Sequence, residues 1–215
     1  MTPHRVLLRT TFRVLAAGLL LVVLGGAEVA LAEIDCPTGT EGHGRPKHKL
    51  WCELPGGVQH GPSLRYYPNG DRQAEASFQS GVLDGSYREW HPSGQVAIEV
   101  RYTAGEKDGV ERTFYADGTL RSEARYHAGQ IEGEYKEFHA NGKASSVRHF
   151  SKGTLHGEAA SWYENGEKRA VGRFAGGDYD GAWVGWYEDG SIEKEAVFDK
   201  GVEQSRKTYP PGEKR

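Results

Sequence analysis

Residues 81–105 read GVLDGSYREWHPSGQVAIEVRYTAG, and their frame returns every 24 residues along the chain. Gly61, Gly85, Gly109, Gly133, Gly157 and Gly181 form one series; Gly70, Gly94, Gly118, Gly142, Gly166 and Gly190 form a second. A third runs through Gly57, Gly81, Gly105, Gly129, Gly153, Gly177 and Gly201, so 19 glycines share one period without an insertion or deletion. A fixed period of this size is the mark of a tandem repeat. Two aromatic columns keep the register: Tyr66, Trp90, Phe114, Phe138, Trp162 and Trp186, then Phe78, Tyr102, Tyr126, Phe150, Phe174 and Phe198.

Between the two aromatics of each unit stand a turn signal and a stretch of alternating character, as in GQVAIEVRY, which predicts a β-hairpin. The turns, from Pro68-Asn69-Gly70 to Glu188-Asp189-Gly190, pair an Asn, Asp or Ser with a glycine that accepts positive φ. A three-residue loop closing on that glycine pairs Tyr66 with Arg72. Carried along the strands, this register puts both aromatic columns on one packed face with Ala76, Val100, Ala124, Gly172 and Ala196. The expected fold is all-β: one elongated antiparallel sheet of six tandem 24-residue hairpins, in which neighbours stabilise one another.

The composition agrees. Apolar residues make up 37% of the 215-residue chain, mean hydropathy is −0.68, and there are 30 glycines and 11 tyrosines against one methionine. That is a recipe for short strands and turns. Arg5, Arg9 and Arg13 precede an apolar run from Val14 to Leu24, and Ala30-Leu31-Ala32 closes the segment, which together predict a signal peptide over 1–32 and export to the periplasm or beyond. The competing reading is an uncleaved anchor, but the run is short of spanning length. Without residues 1–32 the chain holds 24 basic and 29 acidic residues, net −5, which gives no footprint for nucleic acid and makes a membrane-surface partner a poor fit.

In an oxidising compartment Cys36 and Cys52 are expected to form a disulfide. Their rival use is metal binding with His43 and His48, but the spacing matches no common zinc knuckle and GTEGHGRPKHK reads as a flexible basic loop. Residues 33–56 are therefore an N-terminal cap whose residues 49–54 form a half-repeat. Residues 57–204 are the array, and 205–215 a terminal cap and tail. There Ser205 replaces a glycine, and Pro210-Pro211 are expected to end strand pairing.

GVLDGSYREWHPSGQVAIEVRYTAG and GQIEGEYKEFHANGKASSVRHFSKG, with Gly-x-x-x-Gly entry, aromatic pair, Asn-Gly-type turn and aromatic-x-x-Gly exit, resemble the bacterial variant of the MORN repeat over residues 57–201. The resemblance implies an elongated hairpin sheet used for protein contacts, with lipid binding proposed for some members. Many bacterial relatives carry a toxin–antitoxin antitoxin label, which export would move to a periplasmic immunity role.

Within the unit, EWHPSG at 89–94 sets His91 two residues from Ser93 like a base and nucleophile. Aligned with RYYPNG, TFYADG, EFHANG, SWYENG and GWYEDG, it becomes a turn: Trp90, Trp162 and Trp186 are structural rings, and Gly70, Gly94 and Gly118 close loops. No phosphate loop or metalloprotease motif appears, and every candidate acid or base recurs at repeat spacing, so no enzyme activity, cofactor or metal is expected. What remains is a column after the first aromatic, Tyr67, His91, Tyr115, His139, Tyr163 and Tyr187, flanked by Glu75, Glu99, Glu123 and Glu195. Parity places it opposite the packed aromatics. It is the candidate surface for an unidentified protein partner; the plainer reading is amphipathic strand residues in cross-strand charge pairs. Function is then a protein-binding scaffold, with an immunity protein or a lipid-surface binder as alternatives.

Overall fold

A computed structural model describes residues 34–212; the expected signal peptide, 1–32, lies outside them. The strands are β1 Glu41–Arg45, β2 Lys49–Leu54, β3 Val58–Tyr66, β4 Arg72–Gln79, β5 Val82–Trp90, β6 Val96–Thr103, β7 Glu106–Lys107 and β8 Gly109–Phe114. They continue as β9 Leu120–His127, β10 Gln130–Phe138, β11 Ala144–Ser151, β12 Thr154–Trp162, β13 Lys168–Ala175, β14 Asp178–Trp186, β15 Ile192–Asp199 and β16 Val202–Thr208. All pair antiparallel in sequence order in one 16-stranded sheet, with the short β7 off the main path beside β6. At about 4.8 Å per strand the ribbon is roughly 65–70 Å long. No helix among the described residues is long and apolar enough to cross a membrane.

Each repeat hairpin closes as its turn residues require. Tyr66 pairs with Arg72, Tyr67 N–H donates to the Asp71 carbonyl at 2.8 Å and Gly70 N–H to the Tyr67 carbonyl at 2.9 Å. Gly70 takes φ 90°, a value that strains any residue with a Cβ. The side chain of Asn69 accepts from Asp71 N–H at 3.0 Å, and Asp117, Asn141, Asn165 and Asp189 do the same in their units.

One residue beyond the loop the register departs from expectation. Arg65 faces Ala74, Ser63 faces Ala76 and Gly61 faces Phe78, so Gln73 is an extra residue and the strand carries a second bulge. Ala97, Arg121, Ser145, Arg169 and Glu193 are extra in the other five hairpins. A single extra residue reverses every side chain that follows it. The two aromatic columns therefore lie on opposite faces. Phe78 and its equivalents stay with Ala76, Val100, Ala124, Gly172 and Ala196, whereas Trp90 shares a face with Arg88, whose guanidinium sits 6.0 Å from the indole centre.

Successive hairpins are joined by two-residue turns such as Ser80-Gly81, both with positive φ. This is the primed geometry that suits strand twist. At the amino end the segment read as a flexible loop is strand β1, with His43 opposite Trp51. The Cys36–Cys52 disulfide is formed, and Leu50 and Cys52 are wholly buried beside Leu64. At the carboxyl end Ser205 does not stop the ladder: it pairs with Val197, and β16 runs on to Thr208 before Pro210-Pro211. The exposed edge is protected by charge instead, through Glu203, Arg206 and Lys207.

Candidate binding faces

The Tyr/His column is engaged within the array. Tyr67 donates its hydroxyl to the carbonyl of Trp90 at 2.6 Å, Tyr115 to Phe138 at 2.8 Å and Tyr163 to Trp186 at 2.8 Å. Tyr187 reaches the Tyr209 carbonyl at 3.1 Å. His91 and His139 hold the Phe114 and Trp162 carbonyls through Nε2 at 2.9 Å. The first five in the column thus bridge to the first aromatic of the following unit, where the turn has interrupted strand pairing, and Tyr187 bridges to the terminal segment. The Ser93 hydroxyl and the Asn141 and Asn165 amides make parallel bridges to Ala116, Glu164 and Glu188. All six column residues are half-buried.

The face carrying the first aromatic column, here the rung face, has one row that runs from β2 to β16. It opens with the buried Leu50 and Leu64 and then reads Glu75–Arg88–Glu99–Arg112–Glu123–Lys136, then Val147–Ala160–Val171–Val184, then Glu195–Lys207, each member opposite the next. Arg88 and Glu99 approach to 3.3 Å, Arg112 and Glu99 to 3.7 Å and Arg112 and Glu123 to 2.7 Å. These are the cross-strand charge pairs that alternating residues make available, each worth well under about 1 kcal/mol at the surface. Trp162 and Trp186 flank the apolar part of the row.

The opposite side, the groove face, carries the second aromatic column. Column 83, 107, 131, 155, 179 and 203, absent from the sequence reading, interleaves with it: Phe78 pairs with Leu83, Tyr126 with Ile131, Phe150 with Leu155 and Phe174 with Tyr179. Beside this spine small residues alternate with large ones, Ala76 with Tyr87, Ala124 with Tyr135 and Ala196 with Trp183. Tyrosines here lean on carboxylates. Tyr87 bonds Glu89, Tyr126 bonds Glu111 and Tyr135 bonds Glu137 at 3.2 Å. Burial, and then the Glu89 carboxylate, push the Tyr87 phenol up to about 12; burial followed by Glu111 or Glu137 raises Tyr126 and Tyr135 as well. Burial alone would raise Glu137, but Ser146 and Arg148 hold it below the usual carboxylate range.

The groove face is notched. About 340 Å³ lies over Ala159, Ser161 and Ala170, walled by Glu137 and Arg148 on one side and Trp183 on the other. A second notch of about 390 Å³ lies beyond Trp183, against Lys194, Glu203 and Arg206. The signal that would have found Trp183 is weak, because its column reads Ser63, Tyr87, Glu111, Tyr135, Ala159, Trp183 and shows no shared residue type.

The MORN repeat variant family matches residues 59–80, 83–104, 107–128, 131–151 and 179–200. The hairpin between the last two segments, β12–β13, has the same turn and the same bridge from Tyr163. No curated protein matches the chain. Among solved structures it is similar to one described as the crystal structure of the GtfA/B complex bound to UDP and GlcNAc, at 9% identity and a TM-score of 0.21. That alignment covers 66% of this chain and 25% of the other, so the chain spans about a quarter of that structure's length.

Proposed function

Because the chain belongs to the MORN repeat variant family, we propose that it is an exported, non-catalytic scaffold that holds a protein partner against its rung face. The observation that carries this reading is the row from Glu75 to Lys207, in which four apolar residues, Val147, Ala160, Val171 and Val184, lie between charged stretches on both sides. An apolar centre with a charged surround, flanked by tryptophan, is the anatomy of a protein interface. The Cys36–Cys52 disulfide supports an oxidising compartment. Arg88, Glu99, Arg112 and Glu123 pair with one another across the ladder and recur at repeat spacing, which supports a role without catalysis.

The test is affinity capture from an envelope extract with the purified protein and with Val171→Glu, which puts a charge at the centre of the apolar stretch. A protein retained by the parent and lost with Val171→Glu supports the reading. Equal recovery on both would overturn the assignment of the face, and recovery of nothing above background would overturn the scaffold itself.

A further inference from the structure

The indole of Trp183 is laid flat on a glycine. A Cβ added to Gly172 would stand 2.0 Å from Cδ2 and 2.2 Å from Cε2 of that ring, so one indole face rests on the β13 backbone. Its Nε1–H donates to the Arg173 carbonyl at 3.1 Å, and Phe174 and Tyr179 pack edge-on against it at 5.2 and 4.7 Å. The ring is held on one face, at its N–H edge and by two neighbours. The other face fronts the groove, and Trp183 lines both notches.

We propose that Trp183 is a stacking platform for a neutral, linear, β-linked oligosaccharide, which lies along the groove face and places sugar rings in the notches on either side. A pyranose with equatorial substituents has flat C–H faces and a rim of hydroxyls. Such a ligand needs a fixed aromatic face with planar polar groups around it. The first notch supplies Glu137 and Arg148, and the Nε of Arg148 is buried without a hydrogen-bond partner. The second supplies Lys194, Glu203 and Arg206.

The other ligand classes fit less well. A cation over the indole would be repelled by Arg148, Lys194 and Arg206, which line the notches on either side. An anionic polymer would find Arg148 and Arg206 already paired with Glu137 and Glu203, and it is opposed by the net negative charge of the chain. An extended peptide on this face would find no main-chain partner, because backbone groups in the middle of a sheet are consumed by the ladder. The site lies on the opposite side from the rung face, so it stands apart from the proposed protein contact.

Titration of the purified protein with hexasaccharides tests this, using β-1,4-linked glucose and β-1,4-linked N-acetylglucosamine, with α-1,4-linked glucose as the control and tryptophan fluorescence and calorimetry as readouts. Saturable binding of at least one β-linked probe is expected, with a Kd of about 0.1–1 mM, and weaker or no binding of the α-linked control. Trp183→Ala should weaken it about tenfold or more. Ala170→Leu, which fills the floor shared by both notches and removes no ring, should do the same, while Trp162→Ala on the opposite face should leave it unchanged. Absence of binding by both β-linked probes, or binding indifferent to both Trp183→Ala and Ala170→Leu, overturns the proposal. So does saturable binding of an anionic vesicle or an unstructured peptide that Ala170→Leu abolishes when neither sugar binds.

Discussion

The Tyr67 hydroxyl holds the carbonyl oxygen of Trp90, 23 residues ahead, at 2.6 Å. It joins two hairpins at the edge where their turns leave backbone groups unpaired. Replacing Tyr115 by Phe removes the same bridge in mid-array and leaves the part-buried Phe138 carbonyl without its donor. The expected loss is about 1 kcal/mol, read as a lower urea midpoint at unchanged slope. Tyr115→His should recover most of it, since His91 and His139 already serve this position. Equal loss with Phe and His would show that ring packing, and not the hydrogen bond, is what matters there.

Gly172 and Trp183 should be coupled. A methyl group at 172 cannot coexist with the indole where it lies, so Gly172→Ala should cost about 1–3 kcal/mol as an overpacked site and displace the indole. In a Trp183→Ala background the same change should be close to neutral, because the clash has gone. A double-mutant cycle in urea with no coupling between the two positions would refute the contact.

Much of the fold was legible in the repeat itself. The glycine and aromatic columns specified six hairpins, and the Asn-Gly-type turns specified a three-residue loop with Tyr66 opposite Arg72. The faces were not legible, because the second bulge is marked by no residue type: its extra positions are Gln73, Ala97, Arg121, Ser145, Arg169 and Glu193. One unmarked residue per repeat was enough to separate the aromatic columns. The Tyr/His column was visible, but its bridges span 22 or 23 residues, a distance at which sequence alone does not tell a bond from an exposed ring. Trp183 was hidden for a different reason: it departs from its own column, and a repeat analysis looks for agreement.

The inter-hairpin turns carry avoidable strain. Ala104 and Ala128 have φ of 50° and 46°, the left-handed region that costs an L-residue with a Cβ roughly 1–2 kcal/mol. Asparagine tolerates it better and keeps more restraint on the unfolded chain than glycine. Ala104→Asn and Ala128→Asn are each expected to stabilise by about 0.5–1 kcal/mol, seen as a higher Tm. A lower Tm for both would mean the methyl groups make contacts worth more than the strain.

Alkali should loosen the groove face. Below about pH 10 the Tyr87 phenol keeps its proton whether the chain is folded or not, and its contribution is constant. As pH rises from there, the unfolded chain ionises while folded Tyr87 holds its proton to about 12, so the unfolded state gains and stability falls. Tm measured across this window should decline, and Tyr87→Phe should make the decline shallower. The phenolate absorbance of the native protein should also keep a late-titrating component that Tyr87→Phe removes. An unchanged pH profile in the variant would place the alkaline sensitivity elsewhere.

The disulfide should act on one end of the array only. Cys36 and Cys52 are 16 positions apart, and closing a loop of that size stabilises by about 3 kcal/mol on the chain-entropy model. Its local role is to bring Pro37 against Gly61, whose added Cβ would meet the proline ring at 2.7 Å, and so to hold the segment before β1 on the first full hairpin. In a sheet where each hairpin touches only its neighbours, that stabilisation decays along the chain. Cys36→Ser, or reduction, should therefore release amide protection in β1, β2 and β3 while β10 to β13 keep theirs, by hydrogen exchange under native conditions. Uniform loss of protection from β1 to β16 would mean that the array unfolds as one unit and that the cap nucleates all of it.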